Sequence, residues 1–200
     1  MAIIVDKAQK KKDIALACKD LFVQNSINTV TISQIAVSAG IGKGTVYEYF
    51  KNKEEIVFEL VTILMLEHNR KKEEKIAQAA STREKVKIFY TFYYHEEDRD
   101  LRALYRDFIS ISLSAPKEEM LHFQTECFVY YLQWFEKIIE EGIEKKEISP
   151  KGRDLVKGLF SLGDGLFIAS AATHVLPDIE TEINHTIDTI FSLIETKEKK

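Results

Sequence analysis

Proline is almost missing from this chain, with 3 residues in 200, and glycine is scarce at 8. So few breakers exclude a turn-rich all-β fold and leave long helices as the economical alternative. Cysteine is scarce too. Cys18 and Cys127 stand far apart and neither belongs to a C-x-x-C, which excludes a disulfide framework or a zinc ribbon. Two reduced thiols are the plain reading, and a redox-sensing pair is the other. No apolar run is long enough for a membrane span, since the most apolar uncharged stretch, Gly165 to Pro177, falls short of the ~18 residues required. The start, MAIIVDKAQKKK, lacks the apolar core of a signal peptide, so a soluble cytoplasmic protein with no membrane partner is expected. His68, His95, His122, His174 and His185 show no ligand spacing, and no Walker loop, G-x-S-x-G or G-x-G-x-x-G occurs. Neither a metal, a cofactor nor an enzymatic activity is expected.

What is present is an asymmetry of charge. Residues 1–53 hold eight lysines, no arginine and four acidic residues, a balance of +4, while the whole chain carries −4 and residues 54–200 therefore −8. A basic end on an acidic body suits a protein that offers that end to a polyanion.

Within the basic end lies the most specific segment, TISQIAVSAGIGKGTVYEYFKNK, residues 31–53. Thr31 and Gln34 form a capping box, with Val30 and Ile35 as its hydrophobic staple. Ile35 and Ala36 turn inward on a short helix, and Gly40 supplies the left-handed residue that ends it. Ile41 fills the corner. Lys43 opens a second helix whose Val46 and Phe50 face inward, leaving Lys43, Gly44, Thr45, Tyr47, Glu48 and Tyr49 around an outer face. This is a helix-turn-helix, with the second helix shaped to enter a major groove. Without arginine, bidentate reading of guanine is unavailable. Lys43 is left for guanine or phosphate, Thr45 for methyl and hydroxyl contacts, and the Tyr47 and Tyr49 hydroxyls for phosphate. Glu48 either accepts from a cytosine amino group or points to solvent and tempers affinity. The run Lys10-Lys11-Lys12 either reaches phosphate or a minor groove, or forms a solvated face.

The same residues carry a family resemblance. The pattern T-x-x-x-I-A-x-x-A-G-x-x-K-G-T-x-Y-x-Y-F-x-x-K-E, from Thr31 to Glu54, resembles the DNA-binding signature of TetR-type transcriptional regulators. The resemblance implies an all-α, nine-helix fold: a helix-turn-helix domain over 1–53 and a ligand-binding and dimerisation domain over 54–200. It also implies that Thr31 and Lys53, at two helix N-termini, clamp the DNA backbone.

The helix signals agree. Asp6 and Gln9 cap a first helix to about Gln24, with Ala8, Ile14, Ala15, Cys18, Leu21 and Phe22 as its buried stripe. Asn52 with Glu55 caps a fourth helix to about Gln78, whose charged Arg70 to Lys75 stretch is expected to project along the surface or to bridge two bodies. Further helices span about Ser81–His95, Asp98–Ser112, Pro116–Lys146, Ser149–His174 and Ile179–Thr196.

A single head makes too little contact for tight specific binding, so a homodimer on a palindromic operator is expected. Leu155, Leu159, Leu162 and Leu166 form a stripe on the eighth helix, and Ile183, Ile187, Ile190 and Ile194 form one on the ninth. Gly158, Gly163 and Gly165, each costing about 1 kcal/mol in a helix, point to close approach of a partner. TetR-like proteins pair through these two helices; the alternative is that both stripes are internal core. Residues 88–135 are dense in aromatics. The resemblance implies an inducer cavity there, for which Phe89, Phe92, Tyr93, Tyr105, Phe108, Phe123, Cys127, Tyr130, Tyr131, Trp134 and Asp164 are candidates, though most aromatics at helical spacing are core. Asp164 can address a cationic ligand or bond a tyrosine. The expected function is a ligand-responsive DNA-binding regulator, a repressor in most of the family, released by a small hydrophobic or aromatic inducer. The alternative keeps the fold and replaces the inducer with a protein partner.

Overall fold

The computed structural model describes residues 6–196. Residues 1–5 and 197–200, which include the start of the segment read for a signal peptide, lie outside the described residues. Ten α-helical segments occur among those described: α1 Lys7–Ala17, α2 Lys19–Gln24, α3 Ile32–Ser38, α4 Lys43–Tyr49, α5 Lys53–Gln78, α6 Thr82–Tyr90, α7 Arg99–Ser114, α8 Glu118–Glu144, α9 Gly152–Ala172 and α10 Ile179–Ile194. Two 3-10 turns, Thr91–Tyr93 and Glu96–Asp98, lie between α6 and α7. The all-α architecture is as expected, and α1 with α2 is the expected first helix interrupted at Cys18.

Several local expectations need correction. Asp6 does accept from the Ala8 and Gln9 amides, but the Gln9 side chain bonds Asp13 instead of closing the box. Ala8 is exposed; the buried stripe of the first helix is Ile14, Ala15, Cys18 and Phe22. The fifth expected helix stops at Tyr90 and tightens into the 3-10 turn, short of His95.

The chain forms two compact units. The first gathers the residues up to Asn69 with Asp100–Thr125, and the second gathers Arg70–Arg99 with those from Glu126 onward. The helix-turn-helix therefore does not stand in a unit that ends at residue 53. The short helices α1–α4 share a core that includes Ile14, Phe22, Ile35, Val46 and Phe50, and polar ties join them to α7 and the start of α8. Lys19 pairs with Asp100 at 2.8 Å, Asn52 bonds Glu119, and Lys117 pairs with the buried Glu54. Burial pushes the Glu54 carboxyl up, but hydrogen bonds from Lys117 and its own amide, with the Lys117 and Lys53 charges, outweigh this and hold it below the usual range.

The second unit is organised on one apolar core. Val86, Phe89 and Tyr90 of α6, Phe135, Ile138 and Ile139 of α8, Val156, Leu159 and Phe160 of α9, and Ile183, Ile187, Phe191 and Ile194 of α10 all bury there. α10 packs on both α6 and α9. Each such side chain contributes about 1.5–3 kcal/mol when removed from water. The Gly163 backbone lies so close to α6 and its following turn that a Cβ would strike the Tyr93 and Tyr90 rings. The close approach expected there is therefore within the chain.

Arg70 to Lys75 is not wholly a surface stretch. Lys72 is buried, donates to the Phe89 carbonyl at 2.7 Å and lies 5.0 Å from the centre of that ring. Burial pushes its ammonium down to about 7, against the pull of nearby Asp98 and with the push of Lys75.

Candidate nucleic-acid interface

The geometry of the helix-turn-helix follows its sequence closely. Both halves of the capping box form: the Gln34 amide donates to the Thr31 hydroxyl, and the Thr31 amide donates to Gln34 Oε1 at 2.9 Å. The Thr31 hydroxyl also donates to Gln34 Oε1 at 2.8 Å. Val30 and Ile35 of the staple are both buried. Gly40 has φ +64°, and the Ile41 amide folds back onto the Ala36 carbonyl, closing the turn. An L-residue at that φ is strained, which is why glycine stands there.

α4 then begins at Lys43 and buries Val46, with Phe50 buried just past its end. Lys43, Gly44, Tyr47 and Glu48 are exposed, Tyr47 to 59%, while Thr45 and Tyr49 are half-buried at the edges. An exposed tyrosine on a two-turn helix has no role in packing, so α4 presents side chains rather than merely filling space. The outer face expected from the sequence is therefore assembled as one surface.

Two expected backbone clamps are engaged within the chain. Lys53 donates to the carbonyls of Asn28 and Val30 at 2.7 and 2.8 Å, and Thr31 is spent on its capping box. Burial lowers the Lys53 pKa, Glu54 opposes this, and the Lys117 charge lowers it further. Of the lysine run, Lys11 lies 5.1 Å from the centre of the Phe50 ring and covers the head core, whereas Lys12 is exposed. Sequence reasoning missed the ties from Asp100, Asp107 and Glu119. Nothing in a local pattern announces a carboxylate that acts some 80 residues away.

The proposed inducer residues fall into two groups. Tyr105, Phe108 and Phe123 belong to the first unit, where Phe58 stacks on Phe123 at 4.7 Å and meets Phe108 at 5.9 Å. Phe89, Phe92, Tyr93, Cys127, Tyr130, Tyr131, Trp134 and Asp164 belong to the second. There Phe89 is buried among Tyr90, Tyr131, Trp134, Phe135 and Phe160, edge-on to most of them. Asp164 accepts from the Tyr93 hydroxyl at 2.7 Å, the tyrosine-bonded alternative. Burial pushes both the Cys18 and Cys127 thiols up to about 11, so neither is an activated thiolate. Among the described residues no three His, Cys, Asp or Glu side chains gather as metal ligands would.

Half of the residues expected at a dimer interface are turned inward. Leu159, Ile183, Ile187 and Ile194 are buried within the single chain and cannot meet a partner. The 3.6-residue period located the apolar face correctly, but that face closes the body's own core. The outer face of α9 carries Leu155, Gly158, Leu162, Gly165 and Ile168, with Leu155 and Ile168 exposed and nothing near a Cβ at either glycine. On α10, Leu193 is 79% exposed and Ile190 half-buried. α9 is also the one described helix long and apolar enough, by length and composition alone, to cross a bilayer.

The family of bacterial regulatory proteins of the tetR type matches residues 14–60. The Bacillus subtilis (strain 168) fatty acid metabolism regulator protein is 28% identical over 144 residues, covering 71% of this chain and 72% of that protein. A TetR-family transcriptional regulator from Cytophaga hutchinsonii superposes with a TM-score of 0.81 at 14% identity, over 98% of this chain and 100% of the other. The fatty acid degradation regulator FadR from Bacillus halodurans gives 0.70 at 22% identity, over 91% and 94%. The structural likenesses span nearly the whole chain, whereas the family match is confined to residues 14–60.

Proposed function

We propose, from the premise that this chain belongs to the TetR family of bacterial transcriptional regulators, that it is a homodimeric, ligand-released repressor reading a palindromic operator through α4. As a member of that family it binds DNA and is not an enzyme. The observation that carries the reading is α4 itself: Lys43, Thr45, Tyr47, Glu48 and Tyr49 on an outward face that its own cap and left-handed turn hold in place. Operator contact with a helix of this length reaches only a few base pairs, so two copies are needed for useful specificity.

The outer face of α9 supports the pairing. Leu155, Leu162 and Ile168 with two unobstructed glycines make an apolar seam, and α10 exposes a further apolar side chain, Leu193. The inner face of α9 is spent on the protein's own core, which favours a second copy over lipid as the outer covering. The cytoplasm, where the operator would be, is its proposed location.

The aromatic body supports a hydrophobic inducer held near Phe89, Tyr131 and Trp134. The relative named as a fatty acid metabolism regulator makes fatty acyl compounds the first class to screen. Ligand bound there would raise thermal stability and weaken operator binding by linkage. Trp134, the single tryptophan, reports occupancy by its fluorescence.

Operator binding by Lys43→Ala and Tyr47→Ala tests the central part. Each should lose about 1–3 kcal/mol of affinity with unchanged folding. Wild-type affinity in both would remove α4 as the reading element.

A further inference from the structure

The turn Ser26–Val30 launches α3, and it is held from two sides by opposite charges within the first unit. Its donors go to a carboxylate: the Ile27 amide donates to Asp107 Oδ2 at 2.6 Å and the Ser26 hydroxyl to Asp107 Oδ1 at 3.0 Å. Its acceptors go to an ammonium: the Asn28 and Val30 carbonyls receive Lys53 Nζ at 2.7 and 2.8 Å. The turn also closes on itself, with the Thr29 and Val30 amides both on the Ser26 carbonyl. Ile27 and Val30 are buried, so the segment is anchored below as well.

We infer that Asp107 and Lys53 are positioning residues for DNA reading, which clamp this turn and thereby set the direction in which α3 and the recognition helix α4 are presented. The inference rests on the DNA-reading role of α4. Lys53 stands at the first position of α5, so the clamp locks α3 to the helix that follows α4. Val30 immediately precedes the Thr31 cap, so any slack in the turn reaches α3 directly. Two of the three N–H donors of Lys53 are committed to carbonyls, which makes the lysine part of the scaffold and not an ion waiting for phosphate. Asp107 gives the more telling case. A carboxylate in a DNA-binding unit repels phosphate, and its removal on charge grounds alone should strengthen binding. As a clamp, its removal should weaken specific binding.

The test compares Asp107→Ala, Asp107→Asn, Lys53→Met and Lys53→Arg in the full-length protein, with Tyr47→Ala as a control. Specific operator affinity is measured against salt, alongside affinity for random duplex. The clamp predicts that Asp107→Ala and Lys53→Met each lose about tenfold or more in operator affinity with the salt slope kept, because no phosphate contact is removed. Lys53→Arg keeps donors for the two carbonyls, and Asp107→Asn keeps one oxygen to accept from the Ile27 amide while its NH2 can donate to the Ser26 hydroxyl oxygen, so both recover much of the loss. A salt slope reduced by about 0.9 in Lys53→Met, with melting temperature unchanged, would make Lys53 a phosphate contact and overturn its half of the clamp. Operator affinity at or above wild type in Asp107→Ala would overturn the other half. If Tyr47→Ala weakens binding while the clamp variants do not, the reading role of α4 survives and the clamp fails; if wild type selects no operator, that role itself fails. Amide exchange tests the geometry without DNA: the Ile27 amide should exchange at least about tenfold faster in Asp107→Ala while the rest of α7 stays protected. Unchanged exchange at Ile27 contradicts the clamp.

Discussion

The two units of this chain are stabilised in different ways. In the unit that bears the helix-turn-helix, an apolar core that includes Ile14, Phe22, Ile35, Val46, Phe50 and Leu60 is supplemented by fixings at the ends of short helices: the Thr31–Gln34 box, Gly40 at φ +64°, the Asn52 side chain accepting from the Glu55 amide, and Asp107 and Lys53 on the turn before α3. In the other unit, long helices are fixed along their faces by one continuous apolar core from Val86 to Ile194. A surface that must meet DNA cannot itself be buried, so caps and polar ties set its direction above the small core formed by Val46, Phe50 and Ile35. A body with no such demand can rely on area.

That contrast can be broken most forcefully in the body. Ile187 is fully buried, and Ile187→Lys should cost on the order of 5 kcal/mol, enough to unfold a protein of ordinary stability. Leu193 on the same helix is 79% exposed, so Leu193→Glu should leave the fold intact and disrupt pairing instead. Circular dichroism with sedimentation separates the two. A folded Ile187→Lys chain, or a Leu193→Glu dimer of unchanged affinity, would show that the faces of α10 are assigned wrongly.

A smaller effect is expected within α9. Gly163→Ala should overpack Tyr90 and Tyr93 and cost about 1–3 kcal/mol, whereas Gly165→Ala has open space and should gain helix propensity. Equal melting temperatures for the two variants would contradict the close approach.

The smallest effect sharpens the comparison, because it concerns the body's own buried charge. With Lys72 pushed down to about 7, the folded chain releases above that pH a proton that the unfolded chain keeps up to about 10. Stability from this group therefore rises with pH across that window, by about 1.4 kcal/mol per pH unit at most. Below it, both states are charged and the burial cost of the ammonium stands in full. Lys72→Met should lose this slope, so its stability relative to wild type falls from pH 7 to pH 9. A pH-independent difference would remove Lys72 as a titrating group.

The same division explains what was legible in the sequence. The head's cap, turn and outward face were all readable because each depends on residues within a few positions of one another. Periodicity in the body identifies apolar faces but not their partners, so it leaves Ile183, Ile187 and Ile194 open to a dimer seam or an internal core, and they close the core. Lys72 looked like one more surface charge because its burial is imposed by Phe89 on another helix. Asp107 and Lys53 were opaque for the same reason: their partners lie 80 and about 25 positions away.

The central claim, that α4 reads a specific DNA sequence from each half of a dimer, is tested most directly by selection from random duplex DNA. Wild type should recover a two-fold symmetric site whose half-sites lie about one helical turn apart or a multiple of it, and the double variant Lys43→Ala with Thr45→Ala, which removes the two side chains assigned to base edges, should lose the preference while still binding duplex through charge. Recovery of no sequence preference by wild type, or of an identical preference by the Lys43→Ala, Thr45→Ala double variant, would contradict the account.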